Sequence, residues 1–185
     1  MKRLFLTAML CVAALVAVPV ASASAAETVA CTFKGPATFP GKPLTPTPTP
    51  GTKYKFEAKE GEAGVPNECV GSVAGKRKVE EAVVEGEGKL SCAVSEEENV
   101  VSVLGKASGH GTLKVEGKEK YELTSFSFVG VGAEVLFKVK GHNASETITA
   151  EGSANFVKNA SAVKECLESR LTSLNFEASA LGETK

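Results

Sequence analysis

Residues Gly111–Phe156 read GTLKVEGKEK YELTSFSFVG VGAEVLFKVK GHNASETITA EGSANF. Four extended segments stand out, Gly111–Glu116, Tyr121–Val129, Glu134–Lys140 and Glu146–Phe156, with Gly117–Lys120, Gly130–Ala133 and Gly141–Ser145 between them. β-Branched and aromatic runs broken by turn residues at this short spacing predict an antiparallel meander. Side chains alternate across a strand, so Leu113 and Val115 face one way, as do Val135, Phe137 and Val139, and Ile148, Ala150, Ala154 and Phe156. Between Leu123 and the pair Phe126 and Phe128 the parity changes, which predicts a bulge or a strand buried on both faces. Burying each such Val, Leu or Phe contributes roughly 1.5–3 kcal/mol. The meander therefore carries much of the core, and a charge at Phe137 is expected to be severely destabilising.

Upstream, the same alternation recurs. Thr28–Lys34 places Val29, Cys31 and Phe33 inward, and Lys53–Lys59 does so with Tyr54, Phe56 and Ala58. Gly61–Asn67 reads as a turn, Cys69–Ala74 as a short apolar segment, and the cluster Lys76, Arg77, Lys78 as a solvated corner. From Ala82 to Val94 the even positions are small or apolar, including Cys92, and the inward Gly86 and Gly88 suggest a bend or a close neighbour. Glu96–Glu98 is read as a solvated acidic turn, Val100–Leu104 as a strand, and Gly105–Gly111 as a glycine-rich turn. Downstream, Ala160–Glu168 is the helical candidate, a turn or two long with cap residues at Asn159 and Ser161. Leu171–Leu181 is the last strand, with Leu174, Phe176, Ala178 and Ala180 inward, and Gly182–Lys185 is expected to fray. The expectation is an all-β fold, an antiparallel β-sandwich or barrel built on a meander, with one short helical turn near Ala160–Glu168.

The N-terminus has the form of a secretory signal. Lys2 and Arg3 precede the apolar run Leu4–Val20, and the small residues Ala21–Ala25 offer a cleavage site after Ala25, with Ala23 and Ala26 as alternatives. A retained membrane anchor is disfavoured by that small-residue exit and by the lack of a positive stop flank. Cys11 is expected to leave with the leader. Residues 26–185 then form one secreted β domain, in which the Pro/Thr-rich stretch 40–50, with Thr45–Pro50 reading TPTPTP, is taken as a stiff loop rather than a linker. No later stretch is long and apolar enough to span a bilayer. Without Lys2 and Arg3, 19 of the 21 basic residues face 22 acidic ones, a net charge near −3 that gives no basis for nucleic-acid binding.

Cys31, Cys69, Cys92 and Cys166 remain, an even number that reads as two disulfides with three possible connectivities. They lie too far apart for the close Cys pairs of zinc sites. Proximity in sequence pairs Cys31 with Cys69, closing the loop that holds the prolines, and Cys92 with Cys166, pinning the helical turn to the sheet. The chain contains no Asp, Gln or Trp and only two His, so an Asp dyad, a Ser-His-Asp triad and an Asp-based calcium loop are all excluded. No cofactor or metal is expected. Ser108 with His110 in a Ser-Gly-His turn lacks any nucleophile-elbow context, His142 sits in a second turn, and the absence of Trp disfavours a sugar-stacking cleft. Asn143 and Asn159 each begin an Asn-Ala-Ser glycosylation sequon.

Cys31-Thr-Phe-Lys-Gly, Gly86-Glu-Gly-Lys-Leu-Ser-Cys92 and Glu165-Cys166 followed by Leu171-Thr-Ser-Leu174, in this order and with the leader and the Pro/Thr loop, resemble a group of small secreted actinobacterial proteins of uncharacterised function. The resemblance implies export and a disulfide-linked β fold and supplies no catalytic residue. This chain departs from the group in being rich in Lys and Glu where its members are often Thr-rich. The expected function is that of a non-enzymatic protein, structural or binding, outside the cell or at the cell envelope, monomeric and with an envelope or extracellular partner. A carrier of a small apolar ligand is the alternative, by analogy with secreted β-sandwiches of similar kind, and a deep apolar pocket is what would favour it. A secreted hydrolase or a protease inhibitor using Lys42 or Leu44 of the Pro-rich loop is the third reading.

Overall fold

Alternating apolar and charged residues form nine strands and one helix in the computed structural model, which describes residues 26–60, 67–72, 75–131 and 133–185. The expected leader over residues 1–25, with Cys11, most of the turn after Glu60 and the segment end at Val73–Ala74 lie outside the described residues. The elements are β1 (Glu27–Thr38), β2 (Tyr54–Lys59), β3 (Glu68–Gly71), β4 (Gly75–Ser95), β5 (Val100–Val115), β6 (Tyr121–Val131), β7 (Glu134–His142), β8 (Thr147–Phe156), α1 (Ala160–Leu167) and β9 (Ser173–Thr184). The protein is all-β. From β4 to β9 each strand pairs antiparallel with the next. β9 then pairs with β1 over its whole length, from Glu27 opposite Thr184 to Thr38 opposite Ser173. β1 pairs with both β2 and β3, and both pair with β4, so the sheet closes into a ring.

The ring is not a regular barrel, because the short strands β3 and β2 share one position between β1 and β4. Asn67 bridges the break between them. Its Oδ1 accepts from the Lys34 N–H at 2.6 Å, and its Nδ2 donates to the Lys34 carbonyl at 3.4 Å and to Glu60 at 2.9 Å. The side-chain amide thus stands in for a strand residue that neither β2 nor β3 supplies, satisfying backbone groups that burial would otherwise penalise. Pro36 continues β1 past the point where a central strand is expected to end. Backbone groups two residues apart point the same way along a strand. The missing Pro36 donor therefore faces the same break as Lys34, where no ladder partner is lost.

Several boundaries differ from the sequence expectation. Gly105–Gly111 is not a turn; β5 runs unbroken through it. A Cβ on Gly105 would lie 2.0 Å from the Lys89 carbonyl oxygen, and one on Gly109 would lie 1.9 Å from that of Glu85. Glycine is therefore demanded there by close, bent strand pairing, and at Gly105 also by a φ of +111°. Gly182–Lys185 does not fray, since β9 is the strand that closes the ring and Lys185 exchanges backbone hydrogen bonds with Thr147 at 2.7 and 2.9 Å. The parity change in β6 is a bulge, with register shifts against β5 and against β7. His142 ends β7 rather than lying in a turn.

One end of the ring is plugged. Phe39 after β1, Leu44 from the Pro/Thr loop, Ala162, Val163 and Cys166 from α1, and Leu171 and Leu174 pack onto Leu90, Cys92, Val101 and Val103 of the long strands β4 and β5. Leu44 and Leu171 are both 0% exposed, and the Leu44 N–H donates to the Leu171 carbonyl at 2.8 Å. Asn159 caps α1 by accepting from the backbone of Ser161 and Ala162. The Cys92–Cys166 disulfide, with Cα atoms 6.1 Å apart, ties α1 to β4. Cys31 and Cys69, directly opposite one another on β1 and β3, form the second disulfide.

Candidate functional site

The inward positions of the strands are apolar almost throughout, and they do not fill the ring. They enclose a cavity of about 230 Å³. Of the nine phenylalanines in the sequence, all but Phe5 line it. Phe56 meets Phe128 edge to face at 5.1 Å between centroids, and Phe126 lies 5.9 Å from both Phe56 and Phe137, the tilted geometry that aromatic quadrupoles favour. Phe137 stands opposite Gly152 on β8, where a Cβ would lie 2.5 Å from the ring, so the absent side chain makes room for the phenyl. An eight-position antiparallel ring is the size at which an interior either just fills with side chains or holds one small ligand.

Burial is graded along the wall formed by β1, β8 and β9, while on the facing wall Cys69, Val79 and Val115 stay buried. On β1, Gly35 and Ala37 are buried near the plug, while Val29, Cys31 and Phe33 are only half-buried. Ile148 and Ala150 on β8 and Ala180 and Gly182 on β9 repeat the half-buried pattern at the same end. The cavity therefore opens at the end opposite α1. Around that opening the polar lining includes Arg77, Lys118, Tyr121 and Glu27. Tyr121, 3% exposed, donates its hydroxyl to Glu146 Oε1 at 2.6 Å, and Lys118 Nζ lies 2.8 Å from the same oxygen. Burial pushes the Tyr121 phenol above its ordinary pKa, and the neighbouring Glu146 charge adds to this. Burial also raises the Glu146 carboxyl, but hydrogen bonds from Lys118 and Tyr121 outweigh it and hold the group below its ordinary value.

The structure disperses the residues considered for catalysis. Ser108 and His110 lie on the exposed face of β5, away from the cavity lining, where His110 contacts the Glu85 carbonyl at 3.4 Å and its carboxylate at 3.8 Å. Leu44, a candidate inhibitor residue, is buried in the plug instead of displayed on a loop. Both sequon asparagines serve local structure: Asn143 Oδ1 accepts from Ser145 and Glu146, and Asn159 caps α1. Among the described residues no cluster of His, Cys and Glu could hold a metal ion, and no helix is long and apolar enough to cross a membrane. The basic cluster is not uniformly solvated. Lys76 and Lys78 are exposed, but Arg77 between them turns inward and lines the cavity. Strand alternation through Val79 held that signal, which a reading of the three residues as a corner discards. Compared with protein-family models, with curated proteins and with solved structures, the chain matches none.

Proposed function

We propose that this is a secreted, non-enzymatic protein that binds one small apolar ligand inside its ring. The supporting observation is the phenylalanine-lined cavity of about 230 Å³, plugged at one end and open at the other. An apolar cavity of roughly 150 Å³ is enough to bind benzene, so this one suits a ligand half as large again. Two disulfides support an oxidising compartment for the folded protein. The experiment is calorimetric titration of the purified chain with naphthalene and 1-octanol, beside the variant Ala150→Leu, which places a larger side chain in the cavity wall. Saturable one-to-one binding that weakens at least tenfold in Ala150→Leu is expected. No saturable binding of either probe to the unaltered protein, or equal binding by the variant, would overturn the proposal.

A further inference from the structure

We infer that the ligand carries one carboxylate and that Arg77 receives it at the mouth of the cavity, an inference that rests on the reading of the interior as an apolar ligand site. β4 sets Arg77 level with Cys69, whose bridge to Cys31 also lines the cavity. The guanidinium reaches towards the β5–β6 turn, where one N–H donates to the Glu116 carbonyl at 3.3 Å. That single neutral acceptor leaves most of its five donors for another group.

The nearest carboxylate, Glu116, accepts from the Lys78 backbone N–H at 3.4 Å, and two other pairs of charges lie nearby. Lys118 is paired with Glu146 at 2.8 Å, and Glu183 with Lys185 at 3.6 Å. Arg77 makes no ion pair among the described residues. Glu27 stands four residues beyond Cys31 along β1, about 13 Å by strand rise, whereas Arg77 is level with Cys31. A guanidinium is a planar fork that fits a carboxylate through two parallel hydrogen bonds. Here it is set at the rim of an apolar chamber, where such a bond is less weakened by water than on an open surface. The geometry fits a straight or ringed hydrocarbon tail of about eight carbons among the phenylalanines, with its carboxylate at Arg77.

Calorimetric titration of the full chain at neutral pH with octanoate, 1-octanol and octylamine tests this. Octanoate is expected to bind about ten- to a hundredfold more tightly than 1-octanol, the range of one charge-assisted contact, and octylamine most weakly. Arg77→Gln should remove that preference, while Arg77→Lys should restore part of it. Equal affinity for octanoate and 1-octanol in the unaltered protein would refute the carboxylate while leaving the apolar site standing, and so would an undiminished octanoate preference in Arg77→Gln. Failure of all three probes to bind would remove both readings. The comparison of probes on the unaltered protein decides the matter even if a variant does not fold.

Discussion

The two ends of the ring are built from the same apolar residue types and differ in what is added to them. At the plugged end the chain brings in material from outside the sheet: Phe39 after β1, Leu44 from the Pro/Thr loop, and α1 held by Cys92–Cys166. Leu44, Leu171 and Cys166 are consequently wholly buried. At the open end only strand side chains point inward, and Val29, Ile148 and Ala150 stay half-buried. At the open end the strands alone bury only a small cluster, Cys69, Val79 and Val115, and leave the space beside it unfilled; the larger core forms where a loop and a helix enter that space.

The largest expected effect pits one charge against another. Leu171→Glu places a carboxylate in the plug with no partner and should cost more than about 4 kcal/mol, enough to lose the folded state. Val29→Glu at the open end should cost no more than about 2 kcal/mol, because water reaches that position. Phe137→Glu should fall between them. Urea unfolding of the three variants orders them, and equal losses would mean that the ends do not differ. Next come the disulfides. Replacing Cys92 and Cys166 by Ser should cost about 3–5 kcal/mol, and replacing Cys31 and Cys69 about 2–3 kcal/mol. The first bridge closes the longer loop, 74 residues against 38, and secures the plug as well. Thermal unfolding of both double variants in the same buffer measures the difference.

Overpacking sharpens the contrast further. Ala162→Leu in the plug should lower stability by about 1–3 kcal/mol, as extra methylenes do in a filled core. Ala150→Leu has room in the cavity, so its stability should change by less than about 1 kcal/mol while ligand binding falls. The smallest effect is confined to the open end and depends on pH. The Glu146 carboxyl is held below its ordinary pKa, so its contribution is present above about pH 4.3, the unfolded value, and is lost as the pH falls through the lower folded value. Stability measured from pH 6 down to pH 3 should therefore fall less steeply in Glu146→Gln than in the unaltered protein. An identical slope would show that the Lys118–Glu146–Tyr121 cluster does not contribute.

Much of the inward face was legible in the sequence, because period-two alternation is a local property and Val135, Phe137, Val139, Ile148 and Phe156 each carry it on their own strand. The bulge in β6 was legible for the same reason, as a break in parity between Leu123 and Phe126. The glycines of β5 were misread because glycine serves both a reversal and a close strand contact. Only the position of the Lys89 and Glu85 carbonyls, on another strand, distinguishes the two. Arg77 was misread for a related reason: its neighbours Lys76 and Lys78 dominate the local composition, and its direction follows from the phase of β4.

The sequence by itself determined the all-β class, the turns of the meander, the capped helix at Asn159 and the set of cysteines available for bridging, since each rests on interactions within a few residues. Closure of β9 onto β1, the pairing of the four cysteines, the plug made by Leu44 and α1, and the chamber left at the other end were decided by the tertiary structure. These depend on which distant surfaces meet and on how much volume remains between them, and no local pattern of side chains encodes a volume.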